Sequence, residues 1–109
     1  MYGEHVRLLY RDIDDCMTFD FVFFDLGLRT ESWRIYIIKN IDYGNRPSDG
    51  HSTHRLKDED ETYEYICWDG ELMSLEDAKQ VAAVWADCTS RYIRGLRSFD
   101  SYVSRLTGS

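Results

Sequence analysis

The sequence lacks long apolar runs, and it has one proline and three cysteines in 109 residues. No apolar run approaches the roughly 18 residues that a membrane-spanning helix needs, so we expect no membrane span. The three cysteines are an odd number and widely spaced, which does not suit a disulfide framework. We therefore expect reduced thiols in a cytoplasmic protein.

The sequence motifs of common enzymes are also missing. The chain has no Walker A loop, no dinucleotide-binding GxGxxG, no HExxH and no GxSxG. Asp12, Asp14 and Asp15 form an acidic group, but the glycine and the terminal glutamate of a calcium loop do not follow. We therefore expect a protein without catalytic residues.

What the chain has is apolar and aromatic content. Hydrophobic residues make up 43 % and aromatic residues 15 % of the sequence, which is typical of a folded domain and not of a disordered chain. A chain of 109 residues builds one core, so we expect a single domain over residues 1–109.

Period-two alternation and turn residues predict about four strands, at residues 5–10, 19–26, 33–39 and 62–68. A helix is predicted over about residues 74–94, because Ser74 is a good N-cap and apolar residues recur every three or four positions from Ala78 to Tyr92. A short terminal helix is expected from Ser98. Strands that precede helices favour an α+β fold, with an antiparallel sheet covered on one face by the long helix.

The net charge of −7 is uneven, because residues 57–90 carry ten acidic and only two basic side chains. Such a segment repels nucleic-acid phosphates and attracts a basic protein surface. We therefore expect no direct nucleic-acid binding by the main body, and a protein partner with a basic surface. The alternative is a solvated face that serves only solubility. The acidic residues expected to bind the partner are Asp58, Glu59, Asp60, Glu61 and Glu64.

A second function remains open, because His51, His54 and Cys67 offer the imidazole and thiolate ligands that zinc prefers. A fourth ligand could come from Cys16, Cys88 or a carboxylate. With three protein ligands and an open position, this set predicts a zinc-binding protein or a zinc-assisted hydrolase. Otherwise the two histidines belong to the loop, and the protein has no cofactor.

Four stretches of the chain carry a resemblance to a known family. They are residues 36–38, 50–56, 65–68 and 78–87, which read YII, GHSTHRL, YICW and AKQVAAVWAD. Over roughly residues 33–99 the chain resembles small proteins carried by phages and integrative elements of Gram-positive bacteria. The resemblance implies a mobile-element protein in a setting that includes anti-CRISPR inhibitors, so the implied partner is a host or defence protein such as a CRISPR effector nuclease.

Overall fold

The structure, a computed structural model, describes residues 5–25, 33–39, 41–44, 53–59, 62–67, 72, 74–95, 99 and 101. It has the predicted α+β architecture, an antiparallel sheet with one long helix. The elements are β1 (His5–Arg11), β2 (Thr18–Asp25), β3 (Trp33–Ile37), β4 (Arg55–Leu56), β5 (Glu64–Ile66) and α1 (Leu75–Arg94). None of the described helices is both long and apolar enough to cross a lipid bilayer.

The described sheet has five strands in the order β1-β2-β3-β5-β4, where about four were predicted. The additional strand is β4, which comprises only Arg55 and Leu56 and is too short to show an alternating pattern. It is a strand because it pairs antiparallel with β5, which lies between β3 and β4 in the sheet. The predicted terminal helix from Ser98 lies mostly outside the described residues, and the two of its residues that are described, Phe99 and Ser101, have helical backbone. Beyond residue 95 only Phe99 and Ser101 are described.

Strand alternation divides the sheet into two faces. Phe19, Phe21, Phe23 and Ile35 are at most 1 % exposed and face α1, so we call this the inner face. The side chains between them, beginning with Asp20, point the other way and define the outer face. The core therefore lies between the inner face and α1, as the sequence predicts.

The helix begins and ends where the sequence predicts. Ser74 is the N-cap, and its hydroxyl accepts a hydrogen bond from the Asp77 amide at 3.1 Å. Trp85, at the centre of the apolar stripe, is fully buried. Asp87 and Ser90 are polar and do not belong to the recurring apolar residues of the helix. Both are nevertheless buried, because the β1–β2 turn packs beside the helix there.

Candidate functional site

The outer face of the sheet carries a cluster of apolar and aromatic side chains. Strand pairing places Val22 opposite Tyr36, Tyr36 opposite Tyr65, and Tyr65 opposite Leu56. Because side chains alternate across each strand, all of them point away from α1. Phe24 lies two residues beyond Val22 on the same face. We call Val22, Phe24, Tyr36, Leu56 and Tyr65 the outer-face cluster.

The rings of this cluster are held in edge-to-face contact. The Phe24 and Tyr36 ring centroids are 6.4 Å apart with an interplanar angle of 82°. The Tyr36 and Tyr65 centroids are 6.1 Å apart at 73°. Such pairs stabilise one ring arrangement beyond simple apolar burial. The result is an apolar strip of fixed geometry that crosses β2, β3, β5 and β4.

Two of the large apolar side chains that are exposed in the described part of the chain, Leu9 and Leu56, belong to the same face of the sheet. Leu9 on β1 is 66 % exposed and Leu56 on β4 is 48 % exposed, one on each edge strand. Tyr63, also 48 % exposed, directly precedes β5. The pKa of Arg7 on the outer face is raised, mainly by its hydrogen bond and ion pair with Asp20 and in smaller part by Tyr63.

Arg34 connects the outer-face cluster to the acidic segment. Its guanidinium carbon lies 4.0 Å from the centre of the Tyr65 ring, and its Nη1 pairs with Asp58 at 3.0 Å. The Tyr65 hydroxyl donates to the same carboxylate at 3.3 Å. Burial acts to lower the pKa of Arg34, but Tyr36, Tyr65 and Asp58 outweigh it and the pKa is raised. The arginine is thus a fixed cation at the rim of the cluster.

The acidic segment begins at that rim. Asp58 is half-buried and paired with Arg34, whereas Glu59 is exposed. Among the residues that the structure describes, no ion pair involves Glu59. Asp60 and Glu61 lie outside the described residues. Glu59 is therefore the described carboxylate at this rim that remains available to a basic partner.

Glu64, the fifth of the predicted partner-binding residues, is on the inner face. It pairs with Arg55 at 2.8 Å, and Arg55 also donates to the Thr53 hydroxyl at 2.9 Å. The Arg55 guanidinium lies 4.7 Å from the centre of the Tyr43 ring, and its side chain is only 10 % exposed. The described carboxylates of the acidic segment are therefore divided between the two faces of the sheet.

Two of the three predicted zinc ligands are described, and His51 lies outside the described residues. His54 has a φ of 55°, and its ring stacks on Phe99 at 4.9 Å between centroids. The Cys67 amide donates to the His54 carbonyl at 2.8 Å, so their backbones are adjacent. Within the described residues no group of three or more His, Cys, Asp and Glu side chains is suited to a metal. The zinc site stays a prediction, which elemental analysis of the purified protein and of the His54→Ala variant tests.

The three cysteines are free thiols in different environments. Cys16 is exposed, Cys67 is half-buried and Cys88 is buried. Burial, aided by the neighbouring charge of Asp87, raises the pKa of the Cys88 thiol to about 12. Cys88 is therefore protonated at neutral pH, which makes it a poor nucleophile or metal ligand.

A buried polar contact that the sequence analysis missed joins the β1–β2 turn to the helix. The Tyr10 hydroxyl donates to Asp87 Oδ1 at 3.0 Å, and the Ile13 amide donates to the same oxygen at 2.9 Å. Burial, together with the hydrogen bond to Asp87, raises the pKa of Tyr10 to about 12. The sequence gives no local signal for this contact, because Asp87 lies off the apolar stripe and its partner Tyr10 is 77 positions away in the chain.

The carboxylates of Asp12 and Asp14 in the β1–β2 turn form ion pairs and hydrogen bonds within the protein. Asp14 pairs with Arg91 at 3.0 Å and with Arg94 at 2.6 Å, and these two arginines lower the pKa of its carboxyl group. Asp12 Oδ1 accepts hydrogen bonds from the amides of Cys16 at 2.7 Å and Met17 at 2.6 Å. Hydrogen bonds to Asp12 thus stabilise the turn, and the ion pairs of Asp14 with Arg91 and Arg94 hold it against the end of α1.

Comparison of the chain with protein-family models, with curated proteins and with solved structures found no match in any of the three.

Proposed function

We propose that this protein is a non-catalytic binding domain that docks on another protein through the outer face of its sheet. The partner surface has an apolar patch bordered by lysine and arginine side chains. The observation that carries the proposal is the outer-face cluster, an apolar strip across four strands with Leu56, 48 % exposed, at one edge.

The composition of this face resembles that of protein interfaces. Aromatic residues and arginine are enriched at the centres of such interfaces, surrounded by a charged rim. The cluster offers Phe24, Tyr36 and Tyr65, and Arg34 lies over the Tyr65 ring. Because these rings already hold their relative orientations, docking costs little side-chain entropy.

Charge determines which kind of partner suits the face. The chain carries a net charge of −7, and Glu59 projects from the acidic segment that begins at the rim. Long-range attraction therefore favours a basic partner and accelerates its approach at low ionic strength. Asp58 contributes less, since Arg34 already neutralises it.

The resemblance to proteins of phages and integrative elements suggests which basic surface this is. Effector nucleases of bacterial defence hold nucleic acid in positively charged channels. We propose a host or defence protein of this kind, such as a CRISPR effector nuclease, as the partner. An acidic domain docked beside such a channel competes with nucleic acid for the same cations.

The first prediction tests whether the apolar side chains of the outer-face cluster bind the partner. The double variant Tyr36→Ala/Leu56→Ala removes two members of the cluster, and we expect partner binding to weaken by about 100-fold or more, because central aromatic anchors dominate interface energies. The partner is first purified by its binding to the immobilised parent protein. Its dissociation constant from the parent and from the double variant is then measured by calorimetry. Since Leu56 is 48 % exposed and Tyr36 half-buried, the fold should survive.

The matched control is Ile13→Ala, which removes an apolar side chain that is 65 % exposed in the β1–β2 turn, away from the cluster. It should bind as the parent does. The pair Glu59→Lys and Glu76→Lys tests the charge contribution, because both residues are exposed and both changes alter the net charge equally. Only Glu59→Lys should slow association. Unchanged affinity of the double variant would exclude docking through the outer face.

A further inference from the structure

A pocket lies on the inner side of the sheet, beyond the part that α1 covers. It is formed by the end of β3, the segment that follows it, β4 and the entry to β5, and its volume is about 430 Å³. This is within the size range of sites for small molecules. Its described lining includes the apolar side chains Ile37 and Ile41 and the charged side chains Lys39, Arg55, Lys57 and Glu64.

The charge of this pocket is opposite to that of the protein. Of its described lining residues, three are cationic and one is anionic, whereas the chain as a whole has a net charge of −7. Arg55 and Glu64 pair with each other at 2.8 Å and so cancel. Lys39 and Lys57 are left as an excess of positive charge, and both side chains are exposed to solvent.

These two lysines differ from the other described cations. Every arginine in the described part of the chain has a carboxylate partner, and Lys79 lies 3.7 Å from Glu76. Within the same described residues Lys39 and Lys57 form no ion pair, although the chain has twenty carboxylate side chains. Two unpaired ammonium groups from separate segments thus line one pocket.

We propose that this pocket binds a small phosphate monoester, with its dianionic phosphate held between Lys39 and Lys57. Lysine ammonium groups act as point charges for phosphate oxygens and need no fixed angle. Arg55, held by Glu64, Thr53 and Tyr43, keeps the Glu64 carboxylate from repelling the anion. Ile37 and Ile41 offer an apolar wall to the organic part of the ligand. This site is independent of the outer face.

The test is titration of the ¹⁵N-labelled full chain with inorganic phosphate, adenosine monophosphate and adenosine, followed by NMR at an ionic strength kept constant with chloride. We expect both phosphates to shift the amides of residues 37–41 and 55–57, with dissociation constants of about 1 mM or below. Adenosine should cause no such shifts. A parent protein that does not respond to about 10 mM of either phosphate would overturn the proposal.

Variants that remove a positive charge test whether Lys39 and Lys57 bind the phosphate. Lys39→Gln/Lys57→Gln should bind adenosine monophosphate about tenfold or more weakly, since two charge-assisted contacts are lost. Lys79→Gln removes the same charge from a paired lysine on α1 and should bind as the parent does. Both single variants, Lys39→Gln and Lys57→Gln, give intermediate values. Equal affinity of the double variant and of Lys79→Gln, or equal binding of adenosine, contradicts the assignment.

Discussion

Replacing Trp85 with alanine is expected to lower the free energy of unfolding by about 3–5 kcal/mol. The indole is fully buried between α1 and the sheet, with its centroid 5.9 Å from Phe19 and 6.1 Å from Phe21. Its Nε1 also donates to the Thr53 carbonyl at 3.1 Å, so the change leaves an acceptor without its donor. Small domains are stable by about 5–15 kcal/mol, so this is a large loss.

Urea unfolding followed by circular dichroism measures the effect, with Trp85→Phe and Gln80→Ala as comparisons. Trp85→Phe keeps a buried ring and loses the hydrogen bond, so it should fall between the parent and Trp85→Ala. Gln80 is exposed on α1, and its replacement should change stability by less than about 0.5 kcal/mol. A Trp85→Ala variant as stable as the parent would show that the core does not form around this residue.

Replacing Asp87 with alanine is expected to produce the other large loss of stability, about 1–3 kcal/mol for each donor left without an acceptor. Two donors depend on this carboxylate, the Tyr10 hydroxyl at 3.0 Å and the Ile13 amide at 2.9 Å. Asp87 is only 8 % exposed, so water replaces it poorly. The β1–β2 turn should therefore loosen from the helix while the sheet core stays folded.

Amide hydrogen exchange and a double-mutant cycle test this contact. The Ile13 amide should exchange faster in Asp87→Ala, whereas amides of β3 should not. In a cycle with Tyr10→Phe, the two changes should be less than additive, because both remove the same hydrogen bond. Additive effects together with unchanged exchange at Ile13 would contradict a direct contact. Asp77→Ala, an exposed aspartate in the first turn of α1, is the control.

The helix was predictable because its signals are local. Ser74 and Asp77 define the N-cap within four residues, and the observed hydrogen bond at 3.1 Å joins these two residues. The burial of Trp85 follows from the apolar period of α1 alone. The burial of Asp87 does not, because its partner Tyr10 lies 77 positions away in the chain. Contacts at that separation leave no periodic pattern in a single sequence.

The sheet was predictable in part for the same reason. Alternation identified β2 and β3 as strands, which the structure confirms. That Phe21 and Tyr36 lie on opposite faces follows only from the pairing of the two strands. It could not identify β4, whose two residues become a strand only through pairing with β5. The strand order β3-β5-β4 could not be predicted either, because it depends on which strand edges pair in the folded structure.

The candidate site was also only partly predictable, because its contacts join residues that are distant in the sequence. The acidic segment was found from composition, but composition does not reveal that Asp58 is paired with Arg34 and Glu64 with Arg55. Those pairs decide which carboxylates remain available, and among the described ones Glu59 is at the rim of the outer face. The cluster itself combines residues of four strands, and each strand contributes only one or two of them. Its members become neighbours only once the strand register is set.

Site-specific photo-crosslinking tests the proposed docking surface most directly. A photoreactive amino acid replaces Val22 on the outer face in one protein and Gln80 on the exposed side of α1 in another. We predict that the Val22 position crosslinks to a basic protein of the bacterial host, that this crosslink is lost on adding Tyr36→Ala/Leu56→Ala, and that the Gln80 position gives none. Crosslinking to the same protein from Gln80 but not from Val22, or to a second copy of this chain alone, would contradict docking through the outer face.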